Sequence, residues 1–140
     1  MRADTARALE LLRAEGLTCA VCRGDAVYQS TARGVRPLLD WLDEGAPLSG
    51  ASAADKVVGA GAAYLYALLG VAEVYAEVVS AAAEKVLKRY GISLHFGTIV
   101  PRIRNRTGDG YCPIESAVEN ATDPQDALTR IRERLKGLHK

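Results

Sequence analysis

The chain has 140 residues, of which 49% are hydrophobic and 25% are charged, with a formal net charge of +1. This composition predicts one folded domain over residues 1–140 and excludes both a disordered chain and a broad basic surface, so we expect no nucleic-acid partner. No apolar run approaches the roughly 20 residues that span a bilayer. The start of the chain is amphipathic and unlike a signal peptide, so we expect a cytoplasmic protein with no membrane partner.

The first half of the chain alternates helical and strand-like segments. The positions of its glycines and the spacing of its apolar residues predict a helix, a β-hairpin that turns at Gly24-Asp25, and a second helix. These elements cover Thr5–Glu15, Leu17–Arg23 with Ala26–Thr31, and Arg36–Glu44.

A longer helix is predicted next, from about Ala53 to Leu69. Ser52 followed three residues later by Asp55 matches a capping box, and the segment is apolar almost all round, as in a buried helix. Gly59 and Gly61 lower the stability of such a helix, which close packing or a ligand could offset.

The following segments predict a βαβ unit. Val71–Val79 and Ile92–Val100 are strand-like, and Ser80 begins an intervening helix over Ala81–Tyr90, so the two strands should be parallel. Beyond them we expect a further strand within Ile99–Arg106, a helix from Pro113 to about Asn120, and an appended C-terminal helix over residues 123–138. The fold class is therefore α/β, a three-layer α-β-α sandwich around a mixed sheet of about five strands.

Two segments, Ala54–Gly59 and Asn105–Glu115, together resemble an uncharacterised family of unknown function that is grouped by fold with the cytidine deaminases. The resemblance extends over roughly Leu9–Val118. It implies a cytidine-deaminase-like arrangement with a five-stranded mixed sheet between helices. It does not imply deamination.

A zinc deaminase needs a His or Cys and a catalytic Glu at the start of one helix, and Pro-Cys-x-x-Cys at the start of the next. The two corresponding helix starts are predicted at Ser52 and Ser80, and neither carries a His or Cys. We therefore expect no metal, no cofactor and no zinc-dependent deamination. Cys19 and Cys22 have CxxC spacing, but in a strand they would point to opposite faces, which favours two small packed residues over a metal site.

Two regions hold the candidate site residues. Asp55 and Lys56 are predicted at a helix N-terminus, where Lys56 could hold an anion; alternatively, Asp55 only caps the helix and Lys56 is solvated. Arg102, Arg104 and Arg106 alternate and could present guanidinium groups on one face, or could be the charges of an edge strand.

The segment Asn105–Glu115 is the more informative region. Its glycines could turn backbone N–H groups toward a ligand, and Cys112-Pro113 begins a helix at which a thiol could be activated. The candidate ligand-binding residues are Asp55, Lys56, Asn105, Arg106, Thr107, Gly108, Gly110 and Cys112, and the candidate catalytic residues are Cys112, Glu115 and Asp55. A tight turn, a capped helix and an inert cysteine would explain the same residues.

Three functions remain open. The first is a zinc-free, deaminase-like protein that binds a small anionic ligand, with nucleotide-like ligands suggested by fold analogy alone. The second is an enzyme that uses Cys112 as a nucleophile or redox thiol, with Glu115 or Asp55 carrying the proton. The third is a structural or interaction module that forms a homodimer through a sheet edge or its helices.

Overall fold

The computed structural model describes residues 1–105, 108 and 110–138. Six helices and five strands follow one another in the described chain, and none of these helices is long and apolar enough to cross a membrane. They are α1 (Ala3–Ala14), β1 (Cys19–Arg23), β2 (Ala26–Ser30), α2 (Arg36–Glu44), β3 (Ser52–Val58), α3 (Ala60–Leu69), β4 (Glu73–Ser80), α4 (Ala81–Arg89), β5 (Ser93–Val100), α5 (Pro113–Ala117) and α6 (Pro124–Leu138).

The strands form one mixed five-stranded sheet in the order β2-β1-β3-β4-β5. The hairpin of β1 and β2 is antiparallel, and Gly24 in its turn has a φ of 58°, which glycine adopts without strain. β1 is also antiparallel to β3, whereas β3, β4 and β5 are parallel to one another. The predicted hairpin, the predicted parallel βαβ unit and the mixed sheet are confirmed.

Two hydrophobic clusters cover the two faces of the sheet. The smaller one lies under α1 and contains Ala8 and Leu12 of that helix with Ala20, Cys22 and Tyr75 of the strands. The larger one joins the other face to α2, α3, α4 and α6, through side chains that include Trp41, Leu65, Leu87 and Ile131. The result is a three-layer arrangement, as predicted, with α6 packed against α3.

The prediction of one helix over residues 53–69 is wrong in its first third. Ser52–Val58 is strand β3, and the helix begins at Ala60 with Gly59 in the preceding extended position. β3 is paired on both sides, with β1 and β4, and its first four residues are buried. A strand buried on both faces loses the polar alternation that identifies surface strands, so it resembled a buried helix. Ser52 therefore caps no helix.

Two smaller boundaries also differ from the prediction. No strand continues through Pro101–Asn105 in the described chain, where the only pairing is an isolated bridge between Arg104 and Tyr111. Helix α5 ends at Ala117, earlier than predicted, because the chain turns there toward Asp123 and α6.

A buried carboxylate, Glu73, ties α1 to the start of β4. Its Oε1 accepts hydrogen bonds from the Arg2 backbone N–H at 2.7 Å and the Thr5 hydroxyl at 2.6 Å, and its Oε2 lies 3.3 Å from Nε2 of His95. Burial alone would raise the pKa of Glu73, but these bonds outweigh it and lower the pKa. This cluster is at the opposite end of β4 from Ser80.

Candidate functional site

A cleft of about 1000 Å³ opens beside the carboxyl end of β3. One side comes from the loop between β2 and α2, and the other from residues 103–105 and 112–115 with Leu135 of α6. Its lining residues are Thr18, Ala32, Arg33, Gly34, Val35, Arg36, Asp55, Lys56, Val57, Gly59, Gly61, Ala62, Ile103, Arg104, Asn105, Cys112, Pro113, Ile114, Glu115 and Leu135. A volume of this size accommodates a nucleotide or a sugar phosphate.

Asp55, the middle residue of β3, lines the cleft and is only 7% exposed. The hydroxyl of Tyr66, on α3, donates a hydrogen bond to its Oδ2 at 2.6 Å, and the Val57 N–H donates to Oδ1 at 3.3 Å. Cys19 lies opposite Asp55 on β1, and its Sγ is 3.2 Å from the Tyr66 hydroxyl. Because that hydroxyl donates to Asp55, the thiol is the donor toward the tyrosine oxygen.

Burial changes the proton affinity of all three groups. It raises the pKa of Asp55 to about 7, although the hydrogen bonds from Tyr66 and the backbone act in the opposite direction. Burial, with the nearby Asp55 charge, also raises the pKa of Cys19 and of Tyr66 well above their usual ranges. Of these three hydrogen-bonded side chains, Asp55 is therefore the one that exchanges a proton near neutral pH, as a general acid or base must.

Glu115 joins Ile103 to the starts of two helices, α3 and α4. Its carboxylate, 7% exposed, accepts the Ala60 N–H of α3 on Oε2 at 2.9 Å and the Ile103 N–H on Oε1 at 2.8 Å. Oε2 also accepts the hydroxyl of Ser80, which itself caps α4 by accepting the Ala83 N–H at 3.0 Å. One internal anion thus occupies the space between the N-termini of α3 and α4, where helix dipoles favour negative charge.

Close packing keeps this region free of larger side chains. A Cβ at Gly59 would lie 3.1 Å from Oε2 of Glu115, and one at Gly61 would lie 2.7 Å from Cγ2 of Ile114. The two glycines thus allow α5 to approach α3.

Cationic side chains outnumber carboxylates around the cleft. Arg33, Arg36, Lys56 and Arg104 are all exposed and line it, whereas its described acidic residues are Asp55 and Glu115. This distribution favours an anionic ligand.

Arg102 and Arg104 share one aromatic partner. Their guanidinium carbons lie 4.2 and 5.7 Å from the ring centroid of Tyr111, and Arg104 also donates to the Gly108 carbonyl at 3.3 Å. These contacts are cation–π interactions on a short turn, not the charges of an edge strand.

Five predicted site residues line the same cleft: Asp55, Lys56, Asn105, Cys112 and Glu115. Gly108 and Gly110 are described but do not line it, and Arg106 and Thr107 lie outside the described residues. Asp55 and Lys56 belong to strand β3, so the prediction that they lie at the start of a helix is wrong. The Ala60 N–H that begins α3 is already bonded to Glu115, so it does not receive an anion beside Lys56.

Cys112 is half-buried and immediately precedes α5. Within the described chain, no hydrogen bond joins its thiol to a base, and His95 instead contacts Glu73. Asp55 and Glu115 were predicted as proton carriers for Cys112. Instead, Asp55 accepts a hydrogen bond from Tyr66 and Glu115 accepts one from the Ala60 N–H.

The described residues form no group of three or more His, Cys, Asp or Glu side chains suited to a metal ion. The observed helix starts read Gly59-Ala60-Gly61 and Ser80-Ala81-Ala82, without His or Cys. Cys19 and Cys22 belong to different clusters on opposite faces of the sheet, as strand alternation predicts.

Sequence reasoning missed Tyr66, Ser80, Arg33 and Arg36 as members of the site. Tyr66 is one of the aromatic residues of an apolar helical segment, and only the packing of α3 on β3 brings its hydroxyl to Asp55. The arginines follow β2 in a loop, and their separation by Gly34-Val35 carries no recognisable motif.

The chain was compared with known proteins. No curated protein matches it. A crystal structure of a DUF1893 family protein from Thermotoga maritima superposes with a TM-score of 0.84 at 25% sequence identity, covering 98% of this chain and 92% of the other. The sequence profile of the family described as domain of unknown function DUF1893 matches residues 7–135. The chain therefore belongs to the DUF1893 family.

Proposed function

We propose that this protein binds a small anionic ligand in the cleft between β3 and the two segments 103–105 and 112–115. The observation that carries the proposal is the set of four exposed cations on one cleft, Arg33, Arg36, Lys56 and Arg104. Guanidinium groups bind phosphate and carboxylate through paired hydrogen bonds. Side chains, and not the start of α3, supply this charge, because Glu115 already occupies that helix end.

The apolar part of the lining supports a ligand with a ring or carbon skeleton. Val57, Ile103, Ile114 and Leu135 line the same cleft as the cations. Pockets for small molecules commonly combine such apolar walls with a few polar groups. Sugar phosphates and nucleotides share this chemistry, and the resemblance to the cytidine-deaminase-like fold favours nucleotides by analogy.

A thermal-shift screen with inorganic phosphate, nucleoside monophosphates and sugar phosphates tests the proposal. A ligand at a hundred times its dissociation constant adds about 2.7 kcal/mol to the free energy of unfolding, which raises the midpoint by several degrees. The shift should diminish with added salt, because the cations are exposed.

Matched variants locate the binding. The double variant Arg33→Ala/Arg36→Ala should lose most of the shift, whereas Arg89→Ala should keep it, because Arg89 is an exposed arginine of α4 outside the cleft lining. No stabilisation by any of these anions, or equal stabilisation in both variants, contradicts the proposal.

A second candidate function, homodimerisation, is favoured by the exposed edge of the sheet at β5. This strand has eight residues, none of them Asp, Glu, Lys or Arg, and its Phe96 and Ile99 are 40% and 41% exposed. Edge strands without charges pair readily, and antiparallel pairing of β5 with a second copy is self-complementary. Light scattering should then give twice the monomer mass, which Phe96→Lys should halve and Val27→Lys, on the opposite edge, should not.

A further inference from the structure

Asp55 differs from the other buried carboxylates in what surrounds it. Among the described residues, no Lys or Arg nitrogen lies within 4.0 Å of its oxygens, although Lys56 is its chain neighbour. Its described hydrogen-bond donors are the Tyr66 hydroxyl, the Val57 N–H at 3.3 Å and the Lys56 backbone N–H. All three donors are neutral groups, so none of them supplies a counter-charge.

Glu115 provides the comparison within the same cleft. It is equally buried, but three donors satisfy its two oxygens, and two helix N-termini face it. Glu73 likewise accepts three hydrogen bonds, one of them with His95. At similar burial, the described donors to Asp55 include neither a helix N-terminus nor a histidine.

A buried carboxylate without a counter-charge is unfavourable unless it takes up a proton or a cation. In a cleft, that cation can arrive with the ligand. Burial raises the pKa of Asp55 for the same reason, because no described cationic side chain compensates its charge.

Resting on the proposed function, we propose that the ligand of the cleft is an amphoteric amine. Its phosphate or carboxylate group binds the exposed arginines and lysine, and its protonated amine takes Asp55 as counter-ion. Asp55 is then the residue that selects an ammonium group over a hydroxyl at that position. The ligand class is that of phosphorylated or carboxylated amines, which includes amino-sugar phosphates.

Two matched pairs of compounds test this inference. Glucosamine 6-phosphate and glucose 6-phosphate differ by an amine in place of a hydroxyl, and so do phosphoethanolamine and ethylene glycol monophosphate. The wild-type protein, titrated by calorimetry near neutral pH, should bind the amine of each pair about tenfold more tightly, as a charge-assisted hydrogen bond would produce.

Asp55→Asn should reduce this ratio to about one while retaining binding of the hydroxyl compounds. Asp40→Asn, which changes an exposed carboxylate outside the cleft lining, should leave the ratio unchanged. Equal wild-type affinities within both pairs would overturn the inference even if the asparagine variant failed to fold, and so would a preference that survives in Asp55→Asn.

Failure of the proposed function is a separate result. In that case, neither member of a pair nor inorganic phosphate would bind, and Arg33→Ala/Arg36→Ala would change nothing. Binding of all four compounds with no preference for the amines would support the anion site and contradict only the role of Asp55.

Discussion

Replacing Glu115 should destabilise the protein more than any exposed acidic substitution, because this one carboxylate joins three parts of the chain. Glu115→Gln puts an NH₂ group where every described neighbour is a donor: the N–H groups of Ala60 and Ile103 and the hydroxyl of Ser80. A buried donor left without an acceptor costs about 1–3 kcal/mol. Glu115→Ala leaves all three donors unpaired and should cost about 3–5 kcal/mol.

Urea denaturation measures this loss as a lower midpoint with an unchanged slope. Glu119→Gln is the matched control, because Glu119 is exposed shortly after α5, and it should change stability by no more than about 0.5 kcal/mol. The double variant Ser80→Ala/Glu115→Gln should be less destabilised than the sum of the single variants, since both remove one hydrogen bond. Equal midpoints for Glu115→Gln and Glu119→Gln would refute this reasoning.

Three further predictions follow from particular residues. The folded protein holds the Asp55 proton up to a pKa of about 7, whereas the unfolded chain releases it near 3.8, so stability falls as pH rises through this window. The difference in unfolding free energy between Asp55→Asn and the wild type should therefore change with pH, by at most about 4 kcal/mol, and a constant difference would contradict this prediction. Gly61→Ala should lower the free energy of unfolding by about 1–3 kcal/mol, and with it the melting temperature, because a Cβ there would lie 2.7 Å from Ile114. Gly137→Ala in α6, with open space around it, should be neutral or stabilising, and the reverse order would be inconsistent with the packing of α5 on α3. Iodoacetamide should label Cys112 at neutral pH no faster than an ordinary thiol, and labelling tenfold faster would instead favour the thiol enzyme.

Local patterns predicted much of the fold. Gly24-Asp25 between two apolar runs indicated the β1–β2 hairpin, and the valines of β4 with the cap at Ser80 indicated a strand followed by a helix. These signals are reliable because each depends on residues that are near neighbours in the chain. The segment Asn105–Glu115 is a candidate site region on similar local grounds, since its glycines and its proline predict a loop followed by a helix start.

The features of the fold and of the candidate site that the sequence did not predict depend on tertiary contacts. β3 resembled a helix because the hydrophobic clusters on the two sides of the sheet bury both of its faces, so no polar alternation marked it. The hydrogen bonds that join Asp55, Tyr66 and Cys19 require a cross-strand pair and a helix packed on the sheet. The order of residues in the sequence encodes neither directly. The sequence likewise did not predict that Glu115 lies between two helix starts. Its donor Ala60 is 55 residues away in sequence.

The most direct test of an anion site in this cleft is a crystal structure of the protein grown with glucosamine 6-phosphate. We expect the phosphate group within hydrogen-bond distance of at least two of the four cationic side chains, and the amine next to Asp55. The four are Arg33, Arg36, Lys56 and Arg104. A ligand bound elsewhere, or a cleft without ligand density at saturating concentration, would contradict the central claim.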